Sequence, residues 1–217
     1  MNTTAAGRKP INVLVVDDHP LFRRGLRNAF TETSDVELIG ESATANEVPE
    51  LIRAHKPNVV ILDIALPDKH GLEVVKQIKD EFPKVPVLIL SMYPEEQYAV
   101  RFFKAGVSGY LTKDSNLDTI LEAVRKVAGG GKFATAKVTE KLAFEFLQTD
   151  KPPHELLSDR EYQVFLMIAA GKSLTEIGED LALSVKTIST YRTRILEKLK
   201  MKKNAEIIYY AIEHQLL

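Results

Sequence analysis

Cysteine is absent from the 217 residues. That excludes disulfides, thiolate metal sites and cysteine nucleophiles, and it suits a reducing interior. Charge of one sign is not in excess either. With 29 basic and 30 acidic residues the formal net charge is -1, so any nucleic-acid contact has to come from a local patch. No apolar run approaches the roughly 20 residues that span a bilayer. The opening MNTTAAGRKP lacks the apolar centre of a signal peptide, and residues 1–10 read as a disordered lead-in. These absences predict a cytoplasmic protein without a membrane partner. Neither G-x-G-x-x-G nor a P-loop follows the first apolar run, which disfavours a nucleotide-binding module.

What is present is a soluble composition, 45% hydrophobic and 27% charged, at a length that suits one large or two small domains. Short apolar runs at 11–16, 36–40, 59–62, 85–90 and 109–111 alternate with helical patterns at about 20–31, 45–55, 71–81, 95–104 and 116–127. Strands alternating with helices of that length predict a doubly wound α/β domain over 11–128, five parallel strands covered on both faces. Asp18 is placed to cap the first helix ahead of Pro20, and Ser115 with Asp118 resembles a capping box. Gly129-Gly130-Gly131 stops the fifth helix. Residues 129–154 read as a linker containing one more helix (Val138, Leu142, Phe146), ended by Thr149-Asp150-Lys151-Pro152-Pro153. Beyond it, 155–217 shows only helical patterns. Ser158 with Glu161 and Ser173 with Glu176 mark capping boxes, Ser184 a third helix start and Gly171 a helix end.

Three acids stand at strand ends: Asp17 and Asp18 after INVLVV, and Asp63 after NVVIL. In an open parallel sheet ligands collect at the carboxyl ends of the strands. Converging carboxylates need a hard cation or a proton between them. This predicts an oxygen-ligand Mg²⁺ site with one carboxylate left to react. Ser91 follows the fourth strand and Lys113 the fifth, adding a hydroxyl and a compact cation of the kind that holds phosphoryl oxygens.

VVDDHP, ILDIALPDKHGLE, LILSMY and KAGVSGYLTK resemble the receiver domain of bacterial two-component response regulators, over about 11–128. The resemblance implies a flavodoxin-like fold. It makes Asp63 the phosphoacceptor and Asp17, Asp18 and Asp63, with the backbone carbonyl of Ala65, the Mg²⁺ ligands. Lys113 would hold the phosphoryl group, with Ser91 and Tyr110 as the switch pair. Asp114 stands where many receivers have proline. Phosphorylating Asp63 would install a larger dianion; Ser91 would move to donate to it, vacating space for an inward-turning Tyr110.

Between 184 and 203 seven basic side chains face the single Glu197, whereas 154–217 as a whole is balanced at nine basic and nine acidic residues. Charge is thus segregated onto one helix. Its apolar face carries Val185, Ile188, Tyr191, Ile195 and Leu199, and the opposite face Lys186, Thr190, Thr193 and Arg194. That is the pattern of a major-groove reader, with Lys186, Arg194 and Lys198 for phosphates and the short Thr187, Ser189, Thr190 and Thr193 for base edges. LSDREYQVFLMIAAGKSLTEIGEDLALSVKTISTYRTRILEKL resembles the LuxR-type four-helix helix-turn-helix, and the whole chain the NarL/FixJ class of response regulators. Gly178 replaces the usual alanine, at a helix-propensity cost of roughly 1 kcal/mol. Ser189 and Tyr191 stand where Lys and His are frequent. Arg192 turns toward the apolar side, predicting an ion pair with Glu161 or Glu176. The last helix, with Ile207, Ile208, Tyr210 and Ala211, suits either a dimer contact or packing within the domain.

The expectation is a regulator rather than an enzyme: a histidine kinase as phosphoryl donor, promoter DNA as target, RNA polymerase as a further candidate partner, and a homodimer formed on phosphorylation. Two rivals are a Mg²⁺-dependent phosphohydrolase, which usually has a second acid two residues after its nucleophile where this chain has Ala65, and a DNA-binding regulator indifferent to phosphate.

Overall fold

The computed structural model describes residues 9–147, 152–214 and 216–217. Most of the lead-in, the Phe146 side chain and Thr149-Asp150-Lys151 lie outside the described residues. The chain divides into two units, one ending at Thr139 and one beginning at Glu140.

In the first unit, strands β1 (Ile11–Val16), β2 (Val36–Ser42), β3 (Val59–Leu62), β4 (Val87–Ser91) and β5 (Gly109–Thr112) alternate with helices α1 (Pro20–Thr31), α2 (Val48–His55), α3 (Gly71–Glu81), α4 (Glu95–Lys104) and α5 (Leu117–Ala128). The sheet order is β2-β1-β3-β4-β5, and every pairing is parallel. Right-handed crossovers then put α1 on one face and α2, α3 and α4 on the other. Strand alternation sends Val13, Val15, Ile61, Leu88 and Leu90 into one core cluster with Leu26 and Phe30 of α1 and Val124 and Val127 of α5. Leu14, Val16, Val60 and Leu62 face the opposite way and are fully buried. That is why these runs are apolar without a break. The chain leaves β1 toward β2 on one side and takes up β3 on the other. The carboxyl ends of β1 and β3 therefore flank the crevice where such sheets bind ligands.

Several element ends depart from expectation, each with a local cause. Asp18 does not cap α1: the N-cap is His19, whose side chain makes no cap bond, and its N–H donates to Asp17 Oδ1 at 2.8 Å. Asn116, not Ser115, caps α5, accepting from the Thr119 N–H at 2.8 Å. Helix α2 starts at Val48 rather than 45, because the N–H groups of Ala45 and Asn46 donate to the two carboxylate oxygens of Asp68, each at 2.9 Å. Strand β2 runs past Gly40 to Ser42, its register slipping at a bulge opposite Val13 and Leu14.

Helix α6 (Ala136–Leu147) spans the boundary between units, with Val138 buried. The second unit opens with a 3-10 turn, Pro153–Leu156, followed by α7 (Asp159–Ala169), α8 (Leu174–Asp180), α9 (Val185–Lys198) and α10 (Asn204–Glu213). Both predicted capping boxes form, and Ser184 caps α9 by accepting from the Thr187 N–H. Gly171 adopts φ +85 just past α7, a left-handed conformation that glycine takes without strain. The unit is knit by Val164, Phe165 and Ile168 of α7, Ile177 of α8, Ile188 and Ile195 of α9, and Ile207 and Ala211 of α10, all buried. Val185, placed on the apolar face by periodicity, is 45% exposed because it is the first residue of α9.

Candidate functional site

At the crevice, Asp17 and Asp63 are each 2% exposed. Burying two carboxylates side by side is costly unless a cation meets them. Lys113, arriving from the end of β5, supplies it: its Nζ lies 2.7 Å from Asp17 Oδ2 and 2.6 Å from Asp63 Oδ2, with the side chain only 4% exposed. A solvated surface lysine is thereby excluded. The ammonium also sits 4.8 Å from the ring centroid of Phe22 on α1, a favourable cation–π placement.

Asp18, Asp17, Asp63 and His19 bring one ligand atom apiece to within 4.8 Å of one another. His19 Nδ1 lies 2.7 Å from Asp18 Oδ1, 3.1 Å from Asp17 Oδ1 and 3.7 Å from Asp63 Oδ2. Even so, the buried Asp18 Oδ1 accepts no hydrogen bond. An oxygen buried among carboxylates, with only an imidazole nitrogen beside it, fits a hard divalent cation. Ala65 is exposed in the loop after β3, its N–H donating to Asp63 Oδ1 at 3.2 Å.

The loop is pressed into place by Gly71, the first residue of α3. Its N–H donates to the Ile64 carbonyl at 3.0 Å, and a Cβ there would meet Ile64 Cα at 2.4 Å. Only glycine permits that approach. The glycine eight residues after Asp63 is therefore a packing requirement.

Ser91 is fully buried at the end of β4, its Oγ accepting from the Tyr93 N–H at 3.2 Å. Tyr110 is also fully buried, and its hydroxyl donates to the Tyr93 carbonyl at 2.9 Å. Burial pushes its phenol well above the ordinary range, the charges of Asp63 and Glu95 adding to this and a hydrogen bond with Ser91 opposing it. The ring occupies an inward position. No peptide bond among the described residues is cis, Lys113–Asp114 included. Periodicity did not reveal three neighbours of the pocket: His19, Phe22 and Arg23, the last donating to the Asp17 carbonyl. Their signal was position alone, the first turn of a helix that begins where β1 ends.

In the second unit, α9 exposes Lys186, Ser189, Thr190, Thr193 and Arg194, with Thr187 half-buried against Ser184. Two expectations change. Lys198, its side chain still 39% exposed, brings Nζ 2.6 Å from Glu161 Oε2 and 3.3 Å from the Leu156 carbonyl, which braces α9 against the start of the unit. Arg192 donates through Nε to Asn204 Oδ1 at 2.6 Å and has no acidic partner among the described residues. Glu161 is claimed by Lys198. Burial opposes the ionisation of Glu161, but Lys198 and the Ser158 amide outweigh it and hold the carboxyl below its usual value. Gly178 is also more than a tolerated substitution. A Cβ there would lie 2.8 Å from the Leu183 carbonyl, whose own N–H donates back to Gly178 at 2.8 Å. The α8–α9 turn closes over a missing side chain. On α10, Ile207 and Ala211 pack inward, Ile208 and Tyr210 are half-buried, and Tyr209 and Ile212 stand exposed.

Comparison with known proteins places both units. Residues 13–125 match the family profile of the response regulator receiver domain, and 155–211 that of bacterial regulatory proteins of the luxR family. The response regulator GacA of Pseudomonas aeruginosa is 33% identical over 206 residues, covering 94% of this chain and 96% of its own. The response regulator UvrY of Escherichia coli K12 is 32% identical, with 95% of each covered. Among solved structures, RcsB of Salmonella enterica serovar Typhimurium bound to a promoter superposes with a TM-score of 0.62 at 23% identity, covering 93% of this chain and 98% of its own. At that identity the likeness speaks for the fold alone. On these matches the chain belongs to the response regulators that join a receiver domain to a LuxR-type helix-turn-helix, and it is a transcription regulator rather than a phosphohydrolase.

Proposed function

We propose that a histidine kinase phosphorylates Asp63 and that the phosphoryl group controls promoter binding by the second unit. The observation that carries this is Lys113, buried between Asp17 and Asp63. A cation held there without solvent is preorganised to stabilise charge developing on a transferring phosphoryl group. A carboxylate oxygen of Asp63 attacks phosphorus, an acyl phosphate forms, and the bond to the donor's histidine nitrogen breaks. Lys113 passes from the Asp63 carboxylate to a phosphoryl oxygen, and the Ser91 hydroxyl donates to a second. Asp17, Asp18, Asp63 and the Ala65 carbonyl would hold Mg²⁺, which supplies neutralising charge for the phosphoryl oxygens when bound. Asp18 Oδ1, buried without an accepted hydrogen bond and with only the His19 ring nitrogen beside it, supports that assignment.

The phosphorylated chain acts as a homodimer on two half-sites in the cytoplasm, with the exposed Tyr209 and Ile212 of α10 as apolar surface for a second copy. RNA polymerase follows as a partner at the promoter. No helix among the described residues is long and apolar enough to cross a membrane. Asp63→Asn tests the site: phosphoryl transfer from a kinase or acetyl phosphate should be lost, and with it the phosphate-stimulated gain in DNA affinity. If the Asn variant accepts phosphate at the wild-type rate, the assignment is wrong.

A further inference from the structure

This inference rests on the reading of α9 as the helix that enters the major groove, and it concerns what that helix recognises. Helix α9 carries four cations, Lys186, Arg192, Arg194 and Lys198, and neither Asn nor Gln. Bidentate reading of adenine, which uses Asn or Gln, is therefore absent from it. Two of the cations are committed within the domain, Arg192 to Asn204 and Lys198 to Glu161.

The outward stripe is Lys186, Thr190, Thr193 and Glu197, all exposed and spaced four, three and four apart as one helix face requires. Both threonine hydroxyls are engaged. Thr190 Oγ1 donates to the Lys186 carbonyl at 3.0 Å, and Thr193 Oγ1 to the Ser189 carbonyl at 3.1 Å. A hydroxyl bonded back to the preceding turn has no proton left for a base edge. What each exposed threonine then presents is its γ-methyl, beside an oxygen that can only accept. Glu197, one turn further on, repels phosphate and so confines close approach to the N-terminal half of the helix.

A methyl pair at the centre of a groove-facing helix has one natural counterpart in B-DNA, the 5-methyl of thymine, which projects into the major groove. We propose that Thr190 and Thr193 read thymine through methyl–methyl contact, while Lys186 and Arg194 contact phosphates. The preferred half-site carries thymine under these two residues, and its recognition is apolar at those positions.

The test uses duplexes selected from a random library by the full chain activated with beryllofluoride and Mg²⁺, then remade with single deoxyuridines for thymines, which removes only the methyl. One or two positions per half-site should lose about fourfold in affinity each, the value of one buried methyl-sized group. Thr190→Ser and Thr193→Ser should bind the thymine duplex correspondingly less well and show no deoxyuridine penalty. Thr190→Val and Thr193→Val, which keep a methyl and drop the hydroxyl, should keep the penalty. If the uridine duplexes bind like their thymine parents, or the serine variants retain the penalty, the thymine reading is overturned. If the chain binds no duplex in a salt-dependent manner, the DNA-binding reading itself falls.

Discussion

Replacing Lys113 by Met removes the ammonium while keeping a side chain of similar length in the 4%-exposed slot. Asp17 and Asp63 are then two buried carboxylates with no cation between them. At an effective dielectric near 20, each contact of 2.6–2.7 Å represents about 6 kcal/mol of attraction before desolvation. Breaking a buried pair by removing one partner costs about 3–5 kcal/mol net. For a unit of this size, at about 4 °C per kcal/mol, the receiver transition should fall by about 12–20 °C. Scanning calorimetry of the full chain in EDTA measures it directly. Two internal controls follow. Adding MgCl₂ should raise the variant's transition more than the wild type's, because the wild type must release Lys113 from the same oxygens before a cation can use them. Adding Asp63→Asn to Lys113→Met removes one stranded charge and should recover part of the loss. A Lys113→Met transition in EDTA within about 2 °C of wild type, roughly half a kcal/mol, would refute the claim that this lysine neutralises the pocket.

Gly178→Ala sets about 1 kcal/mol of helix propensity against a Cβ 2.8 Å from a backbone carbonyl, an overlap that costs about 1–3 kcal/mol. The second unit should lose stability and DNA affinity together, and a more stable variant with unchanged affinity would disprove the steric account. Glu161 supplies a pH dependence: its folded carboxyl lies below the unfolded value of 4.5, so its contribution is complete above that value and disappears as pH falls through the folded one. The stability gap between wild type and Lys198→Met, read from urea unfolding, should therefore be open at pH 7 and close below pH 4.5; a constant gap would contradict it. The exposed Arg125–Asp35 pair, though 2.7 Å apart, should prove worth less than about 1 kcal/mol in a double-mutant cycle.

Much of this architecture was legible in the chain. The apolar runs of β1 and β3 and the bounds of α1, α3 and α4 agree with the periodicity, because buried strands and amphipathic helices write their period directly into residue type. The three acids and Lys113 were found because strand ends are readable and parallel strands bring their carboxyl ends to one rim. What escaped was pairing across space. Periodicity showed that Arg192 turns inward, but not that Asn204 on the next helix would meet it, nor that Lys198 would take Glu161. The start of α2 was misplaced because the competing acceptor, Asp68, lies in a loop more than twenty residues away in sequence. Gly178 looked like a simple propensity defect until the path of the turn beyond it was known.

Tyr110 has one more consequence. Its ring is fully buried, and its hydroxyl ties β5 to the Tyr93 carbonyl in the loop between β4 and α4. A displacement of that loop has to carry the ring along or give up the bond.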